Sequence, residues 1–216
     1  MDLTSVYIRV WYRATPFESR ELDALAKRIG IITMLSSSPH RKYYLSKWRT
    51  AGNTILNRIV FGERYWAMLT AEEQLAVCAH EFIHVRERDS RWKLTHTGLP
   101  SVMAALAVAL LVYCSLGRLT LVSVFLAVLA WVIVLSVTSS LNLGNNRRME
   151  LRCDTEAAKF VDPASLVASL QIADSLISPK VKEGRAHRRL SRSYPTIEER
   201  IRAIHAVGEG ETGNRS

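Results

Sequence analysis

The chain has 216 residues, 48% of them apolar, and a formal net charge of +9. This length leaves room for one catalytic domain with a modest appendage. A mean hydropathy of +0.04 with such a charge excludes an ordinary soluble composition and predicts separate apolar and basic regions. The basic balance suits either nucleic acid or an anionic membrane surface. The three cysteines form no CxxC pair, which argues against a disulfide framework or a thiolate zinc knuckle.

The N-terminal third predicts one helix and one strand. Residues 1–13 lack a continuous apolar core, so we expect no cleavable signal peptide. Thr15 and Glu18 have capping-box spacing, which predicts a helix that Gly30 closes. Alternating and β-branched residues over Thr54–Phe61 predict an edge strand that offers its backbone to an extended peptide. The alternative there is a purely structural hairpin strand.

The next segment predicts the helix that carries the candidate chemistry. Thr70 and Glu73 form a second capping-box pattern, and the run from Ala71 to Asp89 contains no Gly or Pro, so the helix is expected to run into the nineties. His80 and His84 are one turn apart on it and therefore point the same way. Two imidazoles in this arrangement can bind one zinc ion, and Glu81 can act as the base for its water. The alternative is two ordinary histidines on an amphipathic helix.

Two uncharged stretches occupy the middle of the chain. Leu99–Leu116 and Leu119–Leu141 are separated by Gly117 and Arg118. As helices they would be about 27 and 34 Å long, against a hydrocarbon core of about 30 Å. They predict a transmembrane hairpin and favour a lipid bilayer over nucleic acid as the partner of the basic surface. A buried hairpin in a soluble core is the alternative.

The basic residues that flank this hairpin predict its orientation. Four arginines and lysines precede it between residues 86 and 93, and four follow it between residues 147 and 159, whereas the turn has only Arg118. By the positive-inside rule, both termini and the active site are expected on the cytoplasmic side. The absence of a targeting segment fits a prokaryotic inner membrane.

A third metal ligand is expected after the second stretch. Glu150 and Asp154 are four residues apart on a predicted helix and share a face. Glu150 suits the role of ligand, and Asp154 suits the acceptor of a zinc histidine's free ring N–H. The alternative is a solvated acidic face. An even number of predicted spans separates His84 from Glu150, which would return all three ligands to one side of the membrane.

The segments HEFIHVRERD, ELRCD and SYPTIEERIRAI, with a predicted hairpin between the first two, resemble the HtpX-like integral-membrane zinc metallopeptidases. The resemblance runs from about Asn53 to Ile204. It implies that His80, His84 and Glu150 bind one zinc ion per chain and that Glu81 is the general base. It also implies a protein or peptide substrate, for example a misfolded membrane protein.

The chain departs from that family pattern in three places. An N-terminal pair of spans is missing from this sequence, and Ile83 stands where many members have Gly. Tyr194 occupies the position of a histidine thought to stabilise the oxyanion; a phenol can donate the same hydrogen bond. A packed core tyrosine is the alternative for Tyr194, and His187 or Arg200 could serve instead, the latter through a structural ion pair. A zinc-binding pseudoprotease or adaptor without catalytic activity is the alternative function.

Together these patterns predict a mainly α fold with a small β element, an α+β zincin-like catalytic domain, plus a two-helix transmembrane hairpin. The catalytic domain is expected to consist of residues 1–98 and 142–207, with the hairpin at 99–141 and a disordered tail at 208–216. Within the second part, Asp162-Pro163 predicts the start of a helix that runs to about Ile177. The predicted function is a membrane-anchored zinc endopeptidase that acts on membrane or membrane-proximal proteins from the cytoplasmic side.

Overall fold

The structure is a computed structural model that describes residues 3–31, 35, 42–47, 51–55, 57–89, 102–106, 121–177 and 194–212. This part of the chain is mainly helical with one small sheet, as the sequence predicts. The helices are α1 (Leu3–Trp11), α2 (Arg20–Ile29), α3 (Glu63–Met68), α4 (Ala71–Arg86), α5 (Leu121–Ala157), α6 (Pro163–Ser175) and α7 (Ile197–Thr212). The strands are β1 (Ala14–Phe17), β2 (Tyr43–Ser46), β3 (Asn53–Ile55) and β4 (Arg58–Gly62).

The four strands form one sheet in the order β1-β2-β4-β3. β1 is antiparallel to β2, β2 is parallel to β4, and β3 is antiparallel to β4. β3 is therefore an edge of the sheet, and it lies beside α4.

The sheet is covered on both faces because its side chains alternate between them. Tyr43, Ile59 and Phe61 belong to the main core, which also contains the buried faces of α2 and α4. Tyr44 and Val60 point the other way and pack with Ile8 of α1. Burying an aromatic or branched aliphatic side chain contributes about 1.5–3 kcal/mol. The packing of helices on both faces thus holds the sheet next to the candidate site.

The capping box predicted at Thr15 and Glu18 is wrong. Thr15 lies in β1 and pairs with Leu45 of β2. The N-cap of α2 is Ser19, whose hydroxyl accepts the Leu22 N–H at 3.3 Å. Strand pairing outweighs the local capping signal because it also buries the sheet side chains. Gly30 closes the helix as predicted, with φ 85, a conformation that glycine adopts without steric cost.

The single strand predicted over Thr54–Phe61 is instead a hairpin of two strands. Asn57 has φ 64 at the turn, and Thr54 faces Ile59 across the pair. Asparagine tolerates this left-handed conformation better than most residues, so it allows the chain to reverse here. The predicted edge position remains correct for the first half of the segment, β3.

The capping box of α4 is confirmed. The Thr70 hydroxyl accepts the Glu73 N–H at 3.3 Å, and the Glu73 carboxylate accepts the Thr70 N–H at 2.7 Å. The helix ends at Arg86, earlier than predicted, and Arg88 has φ 58. This left-handed residue turns the chain, so that Asp89 returns toward the helix.

Helix α5 is 37 residues long and contacts both α4 and α7. At 1.5 Å per residue it extends about 55 Å. Most of the first predicted span, Leu99–Leu116, lies outside the described residues. Among the helices that the structure describes, none has the length and apolarity needed to cross a membrane, and the predicted transmembrane hairpin is not confirmed.

Two shorter helices complete the described fold. Asp162 caps α6 by accepting the Ser165 N–H at 2.9 Å, as the Asp-Pro sequence predicts. Thr196 and Glu199 form reciprocal capping bonds at the start of α7. The described part of α7 extends to Thr212, within the segment 208–216 for which the sequence predicts disorder.

Candidate metal centre and active site

Helix α4 holds the two candidate histidines inside the protein. Every residue from Ala76 to Val85 is buried, so this part of the helix contacts neighbours all round. His80 and His84 are 5% and 8% exposed, and their Nε2 atoms are 3.1 Å apart. The predicted one-turn spacing therefore brings two imidazole nitrogens to a common point.

Helix α5 brings Glu150 to the same point. One carboxylate oxygen of Glu150 is 3.4 Å from Nε2 of His80, and the other is 3.7 Å from Nε2 of His84. Burial raises the pKa of Glu150, but the two imidazoles and the nearby Arg200 hold it well below its usual range. Glu150 is thus an anion that faces two ring nitrogens.

These three side chains fit a metal ion by their donor chemistry. One ligand atom from each lies within 4.8 Å of the others. The Nδ1 atom of each ring faces a carboxylate, which places the proton there and leaves the lone pair on Nε2. Two lone pairs 3.1 Å apart repel, and either a shared metal ion or a proton on one of the two rings removes this repulsion. Two imidazoles and a carboxylate are a common ligand set for zinc.

The His80 side of the centre depends on a buried ion pair. Asp154 accepts from Nδ1 of His80 at 2.9 Å and is fully buried. Arg200 of α7 donates to both Asp154 oxygens, at 2.6 and 2.7 Å. Burial raises the pKa of Asp154, but the Arg200 charge lowers it by more, so the net shift is downward.

The pKa of His80 shifts in the opposite direction. Burial lowers this pKa, but Asp154 and Glu150 raise it by more, with a net value of about 10. The surroundings of this ring therefore favour positive charge.

The His84 side has a similar arrangement built from different elements. Asp89 lies 2.7 Å from Nδ1 of His84, and Arg152 donates to Asp89 at 2.9 Å. Burial raises the pKa of Asp89, but His84 and Arg152 lower it by more. The Cys153 sulfur lies 3.4 Å from the same Nδ1. Burial and Asp89 raise the pKa of this thiol, which keeps it protonated and makes it a poor metal ligand.

Glu81 faces the sheet edge. The Thr54 hydroxyl of β3 donates to its carboxylate at 2.7 Å. A Cβ atom added at Gly52 would lie 2.8 Å from Oε1 of Glu81, so any larger residue there would displace the carboxylate. The start of the edge strand thus holds the candidate base in place.

A cavity of about 320 Å³ opens over these groups. His80, Glu81, His84 and Glu150 line it, and Tyr194 and Ser169 lie on its wall. Tyr194 is 36% exposed, and burial together with the Glu150 charge raises its pKa. Its phenol therefore stays protonated and can donate a hydrogen bond. The cavity has room for a short peptide segment next to both the candidate base and the candidate metal ligands.

The sequence profile of peptidase family M48 matches residues 28–207 of the chain. The chain belongs to peptidase family M48. Members of this family are zinc-dependent peptidases. The match includes the described residues of the candidate metal centre, Glu81 and Tyr194.

The fold is similar to that of a solved structure, the crystal structure of S. mikatae Ste24p. The TM-score is 0.58 at 18% sequence identity, and the similarity covers 94% of this chain. It covers only 54% of the Ste24p chain, so this M48 chain corresponds to about half of that protein. A comparison with curated protein sequences gave no significant match.

The structure brings all six predicted site residues together, with Asp154 behind His80 and the other five on the cavity wall. Sequence reasoning missed the roles of Asp89, Thr54 and Arg152. The adjacency of Arg88-Asp89 to the histidine motif was the available signal for Asp89. Arg200, the sequence-level alternative to Tyr194 that would act through an ion pair, does form an ion pair, with Asp154. His187 lies outside the described residues.

Proposed function

We propose that this M48 chain is a zinc-dependent endopeptidase that holds one zinc ion through His80, His84 and Glu150. The convergence of two buried Nε2 atoms and an anionic carboxylate carries this proposal. A zinc ion bound there would supply the Lewis acidity that activates water and polarises a peptide carbonyl.

The chain's own residues supply the proton transfers. Glu81 accepts a proton from the attacking water and passes it to the leaving amine. The hydroxyl of Thr54 donates to one Glu81 oxygen at 2.7 Å and so holds the carboxylate on the cavity wall. Asp154 and Asp89 keep the Nδ1 protons of His80 and His84 in place, so that both Nε2 atoms stay directed at the centre.

Edge strand β3 is the proposed site for the peptide backbone. An extended peptide beside β3 would add a strand to the sheet and pass the cavity. The position of Thr54 within this strand, hydrogen-bonded to Glu81, links the peptide site to the base. The proposed substrate is therefore an extended, locally unfolded segment of a protein.

The replacement Glu81→Gln tests the proposal. It should leave zinc content at about one ion per chain and lower casein cleavage by more than about a hundredfold, because the general base is lost. Zinc is measured by elemental analysis and cleavage by peptide release. Glu72→Gln, an exposed position on the same helix, is the control and should cleave normally.

Normal cleavage by the Glu81 variant would reject the mechanism. Zinc binding by the unmodified chain without any cleavage would instead favour the pseudoprotease or adaptor function. Absence of zinc from the unmodified chain would reject the metal centre itself.

Tyr194 is the proposed donor to the developing oxyanion. It lies on the cavity wall, and its raised pKa keeps the phenol protonated. Tyr194→Phe should lower kcat by about a hundredfold with little change in KM, since the bond forms mainly in the transition state. Steady-state kinetics on a fluorogenic peptide measures both constants. An unchanged kcat would show that Tyr194 does not stabilise the oxyanion and only packs against its neighbours.

We also propose that residues 99–141 anchor this domain in a membrane as two spans, with both termini and the site on the cytoplasmic side. The uncharged stretches in the sequence support this, as do exposed apolar residues near the start of α5, among them Phe125, Val132 and Ile133. The nine residues from Leu141 to Glu150 rise about 14 Å in a helix. The site would thus lie close to the bilayer, where misfolded membrane proteins are the proposed substrates and a prokaryotic inner membrane is the proposed location.

The topology can be tested by labelling single cysteines in spheroplasts. A cysteine at Gly117 should react with an impermeant maleimide added outside. One at Ala24, exposed on α2, should react only after lysis. The reverse pattern, or full extraction of the chain by alkaline carbonate, would refute this anchoring.

A further inference from the structure

Helix α1 carries an exposed apolar patch that the proposed peptidase mechanism does not use. Tyr7, Val10 and Trp11 are 45%, 66% and 71% exposed. Their spacing of three and four residues places them on one face of the helix. The rings of Tyr7 and Trp11 are 6.3 Å apart, so the patch is continuous. Scattered exposed apolar residues need no explanation, but a cluster with two aromatic rings indicates a binding surface.

The side of α1 that faces the sheet is already occupied. Ile8 is fully buried against Tyr44 and Val60 on the outer face of the sheet. The helix therefore cannot rotate to bury Tyr7, Val10 and Trp11 without exposing Ile8. The patch is held outward by the packing of the sheet.

Two exposed cations lie close to this patch along the chain. Arg9 is on the flank of α1, about 100° round the helix from Val10, and Arg13 follows the end of the helix. Tryptophan and tyrosine prefer the membrane–water interface, and arginine can reach lipid phosphates from that depth. The chain as a whole carries +9, which favours an anionic surface. A symmetric contact with a second copy would instead bring like charges together.

We propose that α1 is an interfacial helix that inserts Tyr7, Val10 and Trp11 into the headgroup region of an anionic bilayer. This inference rests on the proposed membrane location of the domain. Because Ile8 fixes α1 to the sheet, the contact would be a second attachment besides residues 99–141. Two attachments would set the orientation of the catalytic domain relative to the bilayer.

The test uses the full chain in phospholipid nanodiscs, with an environment-sensitive fluorophore at Val10→Cys. This replacement keeps both aromatic rings. Cys114 is changed to Ser beforehand, and the other two cysteines, Cys78 and Cys153, are buried. Ala24→Cys on the exposed side of α2 is the matched control. Quenching by spin-labelled lipid is compared with quenching by aqueous iodide, in phosphatidylglycerol and in phosphatidylcholine.

In phosphatidylglycerol, the probe at residue 10 should be quenched by lipid and protected from iodide, and the probe at residue 24 should behave oppositely. Adding Arg9→Glu should lower the ratio of lipid to iodide quenching at residue 10 by at least about fivefold. Phosphatidylcholine should give a lower ratio than phosphatidylglycerol. These three results together would support the interfacial helix.

Equal iodide quenching at residues 10 and 24 would overturn the inference. Protection at residue 10 that depends on protein concentration and not on lipid would also overturn it, in favour of a second copy or another protein. Peptide cleavage in the same nanodiscs separates the two proposals. Cleavage with an iodide-exposed residue 10 leaves the peptidase standing without the interfacial helix, and a lipid-quenched residue 10 without cleavage does the reverse.

Discussion

Each of the two histidines of α4 faces a carboxylate that is paired with an arginine, but the two pairs differ in how deeply they are buried. On the His80 side, Asp154 is fully buried and Arg200 is 19% exposed at the side chain. On the His84 side, Asp89 is 7% and Arg152 is 42% exposed at the side chain. Each histidine thus hydrogen-bonds a carboxylate that an arginine neutralises, but the His80 arrangement is more deeply buried.

The origin of the partners also differs. Asp89 follows His84 by five residues, so a local turn supplies it. Asp154 and Arg200 come from α5 and α7, far along the chain. We infer that the His84–Asp89 pair can form with α4 itself and gains Arg152 only when α5 docks, whereas the whole His80 side forms only when α5 and α7 dock. The His80 side therefore couples the metal centre to global folding.

Loss of the arginines should show the largest difference between the two sides. Arg200→Ala leaves a fully buried carboxylate without its cation and should lower the free energy of unfolding by about 3–5 kcal/mol. Arg152→Ala removes a partly exposed partner and should cost about 1 kcal/mol or less. Urea unfolding of both variants in the same detergent measures the difference. Equal losses would show that burial does not distinguish the two sides.

Replacement of the carboxylates should affect the metal directly. Asp154→Asn and Asp89→Asn should each weaken zinc binding by about 10–100-fold, because the ring orientation and the Nδ1 proton are less well held. We expect Asp154→Asn to have the larger effect, since Arg200 also loses its partner. Competition with a chelator gives the affinities. Asp162→Asn, which keeps a good N-cap on α6, is the control; a comparable loss there would argue for a general folding effect.

The smallest effect is expected at Cys153, whose thiol lies next to Nδ1 of His84. Cys153→Ala should cost about 1 kcal/mol of stability through a small cavity but leave zinc affinity unchanged, because the thiol is not a ligand. Cys78→Ala, at another fully buried thiol, should show a similar stability loss. A selective drop in zinc affinity for the Cys153 variant would instead favour a site formed by His84, Asp89 and Cys153, whose donor atoms are also close together.

Local patterns predicted several features well. The capping box at Thr70 and Glu73 is satisfied within four residues, so no tertiary contact is needed to find the start of α4. Asp162-Pro163 likewise predicts α6. At Thr15, however, the local signal lost to strand pairing with β2, because that pairing involves residues about thirty positions away. Asn57 was not identified as a turn, since β-branched residues on both sides resemble one continuous strand.

By itself, the sequence determined that His80 and His84 share a helix face with Glu81 nearby, because helical periodicity depends only on spacing. It also nominated Glu150, Asp154 and Tyr194, partly through the family resemblance. Only the tertiary structure decided that Arg200 neutralises Asp154, that Asp89 turns back to His84, and that Thr54 of β3 holds Glu81. The contacts of Arg200 and Thr54 join separate elements, and that of Asp89 needs the left-handed turn at Arg88. The strength of all three depends on burial, which arises only when the elements pack.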